Sequence, residues 1–436
     1  MLWLDPRPHM RRQSCRRLGQ VAPEARSRPW GSAIPARPGQ RPTQFATCLR
    51  GGDRLRCQME PVNRPGRPRI MVIARGHLGD IVTALPALRD LRAGYPDAHI
   101  ALVANEYVRG ALEGCPFVDE ILYGFGYRHR SALATEARRL SLLTRTAGRF
   151  DIVLSLRSSP RSSAVLGLAS GARVRAGYHQ PGLAGRLLTH DLGPEPRVQS
   201  NRLTNAALVR ALGLEASLVL PRLSWVPEAD QVRADEILAG RGITTRTRFA
   251  VFQIAAHWGC YEWSSEKWGA LADHLASRHD LKVVVVGTEE DFELRKFADL
   301  SRQSTVPASI QGLTSLPMLF HVVSRAALVV AADSALTQIA IAQRIPAVIL
   351  FGIEPQVRNG PLSEEAGVLM ESVQYWEGPG RAPAPNPHCL FGQSQCHTAN
   401  CLENSSFRRI TAGEVCARAD RLLERASSAQ KLSVSV

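Results

Sequence analysis

The chain has 436 residues, 44% apolar and 21% charged, which allows two or three domains with ordinary globular cores. The net charge of +15 suggests a nucleic-acid-binding protein, but residues 1–69 carry 15 arginines against Asp5, Glu24, Asp53 and Glu60, and the remainder nets only +4. The tail has no periodicity and few aromatics, so no nucleic-acid partner is expected; a mildly basic enzyme suits an anionic substrate or membrane surface.

The start Met1-Leu2-Trp3-Leu4 is not a secretory signal, and no run approaches the roughly 18 apolar residues of a membrane span. Nine cysteines, an odd number, fit a cytosolic protein with reduced thiols. Residues 1–66, rich in Pro, Arg and Gly, read as a disordered tail. Met59 is the expected natural start; a mitochondrial-type transit peptide is the competing reading of the tail.

From residue 69 onward strands and helices alternate. Strands are predicted at Ile70–Ala74, His99–Asn105, Glu120–Tyr123, Asp151–Leu156 and Arg173–Tyr178, with helices at Leu85–Tyr95 and Arg130–Thr144. A linker follows at Ala211–Glu228, marked by Pro221 and Pro227. The second series has strands at Phe249–Ala255, Leu281–Gly287, Ser309–Gln311, Ala327–Ala332 and Ala347–Phe351. Its helices are predicted at Lys267–Arg278, Glu290–Ser301, Leu316–Ser324 and Leu336–Gln343, before a loop over Val373–Ser405 and a closing helix over Ala412–Ala426. Near-continuous Val/Ile/Leu strands alternating with helices predict parallel sheets covered on both faces. The expected fold class is α/β: two Rossmann-like doubly wound domains, 69–215 and 222–425, facing one cleft.

Two turns carry the chemistry. Arg75-Gly76-His77-Leu78-Gly79-Asp80 follows the first strand, and Asp333-Ser334-Ala335 follows the strand ending at Ala332. Ligands of open α/β sheets bind outside the carboxyl ends of the strands. The first turn is neither a dinucleotide fingerprint nor a P-loop, since no Gly-Lys pair occurs in the chain. Asp80 lies at a helix start facing the cleft, where it could equally be a cap. Asp333, Ser334 and Ala335 offer backbone N–H groups to a phosphate without a lysine, with capping again the alternative. Arg358 could reach a diphosphate, and Glu290 a ribose. His77, His257 and His321 are candidates for cleft contacts; Cys115 and Cys260 read as core or cleft-edge residues. Cys389, Cys396 and Cys401, with His388 and His397, are spaced Cys-x6-Cys and Cys-x4-Cys; only the second suits zinc, so loop thiols are expected there and no metal site.

The stretch Arg75 to Leu88 resembles the N-terminal signature of the family 9 glycosyltransferases, the lipopolysaccharide heptosyltransferases and their relatives. The resemblance continues at Tyr95–Ile100, Gly312–Leu316, Ala332–Ala335, and Leu350-Phe351-Gly352 through Arg358-Asn359-Gly360-Pro361. It implies a GT-B architecture and inverting transfer of a heptose from ADP-heptose to a lipid-linked acceptor sugar, without cofactor or catalytic metal. The absence of any Asp-x-Asp triplet agrees. It further implies an enzyme in the cytoplasm, peripheral to the inner membrane face. By this resemblance Asp80 is the catalytic base, with Arg75, Gly76, His77 and Gly79 on the acceptor side. Asp333, Ser334, Ala335, Gln338 and Arg358 line the donor phosphates and Glu290 the ribose. Three positions depart from the family pattern: Ala335 replaces a glycine, Gln338 a histidine and Tyr261 a basic residue. These substitutions would weaken leaving-group stabilisation, so a different donor sugar or a nucleotide-sugar-binding relative without turnover are the alternatives.

Overall fold

The computed structural model of the protein describes residues 67–74, 76–125, 132–156, 160–179, 183–196, 200–255, 262–351, 370–374 and 410–434. The expected tail and the loop carrying Cys389, Cys396 and Cys401 lie outside the described residues.

The first lobe comprises β1 (Arg69–Ala74), α1 (Leu78–Gly94), β2 (His99–Asn105), β3 (Glu120–Phe125), α2 (Ala132–Thr146), β4 (Ile152–Leu156), α3 (Pro160–Ala169), β5 (Val174–His179), α4 (Leu183–Arg186), β6 (His190–Pro194) and α5 (Asn201–Arg210). Its sheet has the order β3-β2-β1-β4-β5-β6, every pair parallel. The second lobe comprises α6 (Glu228–Ala239), β7 (Phe249–Gln253), α7 (Ser265–His279), β8 (Lys282–Val285), α8 (Asp291–Gln303), β9 (Pro307–Ser309), α9 (Leu316–Ser324), β10 (Leu328–Ala332), α10 (Ala335–Gln343), β11 (Ala347–Phe351), β12 (Met370–Gln374) and α11 (Ala412–Val434). Its order, β12-β11-β10-β7-β8-β9, is again parallel throughout. Numbered within each lobe, both sheets have the same winding, with the first and fourth strands side by side at the centre. The crevice between those two strands is where the winding reverses direction, and it is the ligand position of doubly wound sheets.

Strand alternation builds the layers. Along β1, Ile70 and Val72 face the α1 side, whereas Met71 and Ile73 face Leu142 of α2 and Leu166 of α3. The α1 side is not a private core. Ile81, Leu85 and Leu88 of α1 belong to the same buried cluster as Leu336, Ile339 and Ala340 of α10, so the lobes share one apolar interior, and the two helices pack together.

The connection between the lobes is fastened to both helices. Ser217 donates its N–H to Asp90 Oδ2 at 2.6 Å, and Arg89 Nη1 donates to the Val219 carbonyl at 3.0 Å. From the other side, Arg344 Nη2 donates to the Leu220 carbonyl at 2.8 Å and Gln343 Nε2 to that of Leu223 at 3.2 Å. Arg344 caps α10 with φ 64°, a left-handed conformation that is unfavourable for a side chain with a Cβ. Its guanidinium offsets that cost by bonding Leu220, Ile341 and Ala342 carbonyls.

The closing helix α11 lies against α7. Val415, Ala419 and Leu422 join Leu271 and Leu275 in the second lobe's core. The entry to α11 is held by Trp263 Nε1 and Lys267 Nζ, which both donate to the Ile410 carbonyl, at 2.9 and 2.8 Å. One polar cluster completes the dock. His274 Nε2 and His279 Nε2 lie 2.8 and 2.6 Å from Asp420 Oδ1, and Arg278 Nε lies 3.2 Å from Oδ2. These three groups form a compact His/His/Asp set, but the separations are those of hydrogen bonds between the groups themselves. Burial raises the Asp420 carboxyl, yet the hydrogen bonds from His279 and His274 and the Arg278 charge outweigh it and hold the group below its usual range. A carboxyl lowered by folding stabilises above its unfolded value and loses that contribution as pH falls through the lowered one. Asp420→Asn is therefore expected to cost roughly 1 kcal/mol at neutral pH, the scale of a partly exposed ion pair. Hydrogen exchange along α11 should accelerate in that variant, and the gap from wild type should close below about pH 4.

Candidate active site

Two helix starts meet at the carboxyl edges of the two sheets. β1 ends at Ala74, and its turn puts Gly76 and His77 ahead of α1. The Gly76 carbonyl accepts hydrogen bonds from Asn105 Nδ2 at 3.0 Å and from the Tyr107 hydroxyl at 2.7 Å. The end of β2 therefore fixes the shape of the turn after β1. Asp80, in the first turn of α1, folds its carboxylate back so that Oδ2 accepts the His77 N–H at 2.9 Å. Glycine is required at 76 for lack of space rather than for φ: a Cβ there would fall 2.2 Å from Asp80 Cβ and 2.4 Å from Oδ2. Asp80 is thus a cap, as one sequence reading held, and it is also half-exposed at the cleft edge. His77 is exposed, its ring 5.7 Å from that of Tyr107.

In the second lobe β10 ends at Ala332 and the Asp333 N–H donates to the Leu350 carbonyl at 3.1 Å. Ser334 precedes α10 with an extended backbone and forms a reciprocal capping box with Thr337. Its hydroxyl donates to Gln253 Oε1 at 2.7 Å, where β7 ends. The helix starts touch: a Cβ on Gly79 would lie 3.5 Å from Ala335 Cα, 3.7 Å from Ala335 N and 3.9 Å from Gln338 Cγ. Gln338 is buried, on the face of α10 turned to α1. Asp80, Gly76, His77 and Gly79 are therefore brought together with Ser334, Ala335 and Gln338.

Glu290 stands somewhat apart from this group in role. It is exposed at the start of α8, and the carboxylate that shapes the turn after β8 is that of Glu293. Glu293 Oε2 accepts the Thr288 N–H at 2.7 Å, and a Cβ on Gly287 would fall 2.0 Å from it. Burial pushes the Glu293 carboxyl up, only partly countered by the Thr288 hydrogen bonds. Both lobes thus use one device, a glycine after an interior strand covered by a carboxylate from the following helix. His321 was a cleft candidate, but its Nε2 bonds Asp235 of α6 at 2.8 Å, next to Arg325 on the same carboxylate, so it fastens α9 to α6 instead. Cys115 is core, its thiol pushed up to about 11 by burial. Arg75, His257, Cys260, Tyr261 and Arg358 lie outside the described residues. Sequence reading missed Asn105, Tyr107, Gln253 and Glu293; the polar residues closing the β2 and β7 runs were the available signal.

Two doubly wound parallel sheets, with helix starts converging between them, define the GT-B architecture of nucleotide-sugar glycosyltransferases. The sequence profile of glycosyltransferase family 9 (heptosyltransferase) matches residues 140–382, more than half of the chain. The chain belongs to this family and is a glycosyltransferase. It is 25% identical over 309 residues to lipopolysaccharide heptosyltransferase 3 of Escherichia coli K12, spanning 69% of this chain and 85% of that protein. Among solved structures, the family 9 glycosyltransferase of Veillonella parvula superposes with a TM-score of 0.65 at 20% identity, covering 82% of this chain and 97% of the other. The ADP-heptose lipopolysaccharide heptosyltransferase II of E. coli superposes with a TM-score of 0.61 at 22% identity, covering 82% and 99%.

The two glycines of the first turn differ in what a methyl group would meet. Gly76→Ala drives a Cβ into the Asp80 side chain and is expected to cost about 1–3 kcal/mol, the range for overpacking. Gly79→Ala makes only an ordinary contact with Ala335 and should stay within about 1 kcal/mol of wild type. Parallel denaturant titrations check the contrast; equal midpoints for the two variants would refute the packing argument.

Proposed function

We propose that the protein transfers a heptose, or a related sugar, from ADP-heptose or another sugar nucleotide to a lipopolysaccharide-core or similar lipid-linked acceptor. Transfer is an inverting single displacement that requires no metal, and the enzyme works at the cytoplasmic face of the inner membrane. The reading rests on one observation: the starts of α1 and α10 meet, with Gly79 against Ala335. The functions named for the relatives, both acting on lipopolysaccharide, agree with it. No helix among the described residues is long and apolar enough to cross a membrane, which is compatible with a peripheral enzyme.

Single displacement needs a base for the acceptor hydroxyl and a counter-charge for the departing diphosphate. Asp80 is the base. Its carboxylate is oriented by the His77 N–H and by the wall that Gly76 leaves open, and it takes the proton as the acceptor oxygen attacks the anomeric carbon. The first N–H groups of α10 bind the leaving phosphate, since helix starts carry partial positive charge. Asp333 and Ser334 shape that turn, Ser334 through its bond to Gln253. Glu290 meets the ribose, and Arg358 adds charge at the diphosphate. Gln338 can donate a hydrogen bond but brings no positive charge. That buried amide favours the second reading, a nucleotide-sugar-binding relative with impaired turnover.

Asp80→Asn is expected to leave ADP affinity within about twofold and to lower kcat by at least about 100-fold, the scale of general base catalysis. ADP release from ADP-heptose and a truncated core lipid gives kcat, and titration calorimetry gives the affinity. Near-normal turnover in Asp80→Asn would refute the base assignment. Tight ADP binding with no turnover in the wild type would favour the second reading.

A further inference from the structure

The outer face of the first lobe combines apolar exposure with the folded chain's positive charge. α2 and α3 cover the same side of the sheet, with Leu142 and Leu166 turned inward. Their other sides present Leu140, Val165 and Leu168, which are 63%, 50% and 54% exposed. The helices are clasped at their ends: the Gly148 N–H donates to the Ala169 carbonyl at 3.0 Å, and a Cβ on Gly171 would lie 3.3 Å from Gly148 Cα. Counted back from that clasp, Leu140 lies about two turns along α2, and Leu168 and Val165 about one and two turns along α3. Leu140 and Val165 therefore stand at similar heights on neighbouring helices, with Leu168 about one turn nearer the clasp. Isolated exposed leucines are common on protein surfaces, but a group of three across two helices is less so.

Charge segregates to the same place. Residues 132–179 carry eight arginines and only the acids Glu136 and Asp151, a net of +6, whereas everything after residue 69 nets +4. The remainder after residue 69 is therefore slightly acidic, and within this stretch Arg138 pairs with Glu106 while Arg145 and Arg149 lie by Glu120. Arg139, Arg145 and Arg173 are exposed there, Arg145 within 3.5 Å of Glu120. Exposed apolar side chains on helices that also carry exposed arginines suit an anionic phospholipid surface, where hydrocarbon and phosphate are met together.

We infer that this α2–α3 face docks the enzyme on an anionic phospholipid bilayer. The proposed function supplies the reason, since a lipid-linked acceptor must be met at a membrane. α2 and α3 begin at the carboxyl ends of β3 and β4, the sheet edge that also bears Asp80. Leu140 lies eight residues into α2 along the helix, about 12 Å from that edge, so a docked face holds the acceptor side of the cleft close to the headgroups.

The test uses the full chain, with its N-terminal tail, at 150 mM salt, a typical physiological ionic strength. Flotation is measured with vesicles of phosphatidylcholine alone and with about 30% phosphatidylglycerol, a composition chosen to give an anionic surface. Wild type is expected to float with the anionic vesicles and not with the neutral ones. The triple variant Leu140→Asp, Val165→Asp, Leu168→Asp should lose at least about tenfold in partitioning; its melting curve and its turnover on a deacylated, soluble acceptor should be unchanged. Equal flotation of variant and wild type, flotation of neither, or equal binding to neutral vesicles would overturn the proposal. So would a wild-type dimer that the triple variant converts to monomer, because the face would then bind a second copy. Absence of transfer in both proteins would sink the proposed function but leave the vesicle result to be read on its own.

Discussion

The close contact between the starts of α1 and α10 is the constraint on which the rest of the molecule depends. Each helix start carries about half a positive charge, so bringing two together is unfavourable unless negative charge is near. The chain places a carboxylate at each: Asp80 in the first turn of α1 and Asp333 just before α10. Gly79 and Ala335 occupy the touching positions, with room for a Cβ at 79 only at ordinary contact distance. The sequence is therefore restricted here chiefly in charge. An anionic ligand at the junction would relieve the remaining repulsion, which is the physical sense in which this place suits a diphosphate.

Much of this was legible from the residues. The runs at Ile70–Ala74, Ala327–Ala332 and Ala347–Phe351 are buried on both sides and scarcely interrupted, and they became β1, β10 and β11 within a residue. The start of α1 was legible only in part. The apolar pattern placed a helix only from Leu85, because Gly79 and Thr83 are weak helix formers, whereas the turn had put Asp80 at a helix start, and the helix does begin at Leu78. What makes the segment helical is tertiary: Ile81 and Val82 are buried in the shared core and Asp80 closes a capping box. β6, with Gly193 and Pro194 in five half-exposed residues, has the composition of a loop and is a strand only because it pairs with β5 at the sheet edge. β12 fell partly in the expected Val373–Ser405 loop.

The site divides in the same way. Asp80 and Ser334 could be found from their positions after apolar runs, since the carboxyl end of a strand is where such sheets bind. Asn105 and Gln253 could not be assigned roles, because their roles depend on which strands lie side by side. Asn105 reaches Gly76 only because β2 is next to β1, and Gln253 reaches Ser334 only because β7 is next to β10. Strand order is a global property, and no local window of residues encodes it. Gly76 and Gly287 looked like generic turn glycines, yet each is dictated by the carboxylate that covers it rather than by its own backbone conformation.

The same contact limits how the lobes can move. Separating α1 from α10 would expose parts of the shared core, at about 1.5–3 kcal/mol for each large apolar side chain uncovered. It would also break the hydrogen bonds by which Asp90, Arg89, Gln343 and Arg344 hold the connecting segment from both sides. Losing the last of these would leave Arg344 in a left-handed conformation with less to offset it. The contact therefore ties the lobes together by packing and by hydrogen bonding at once.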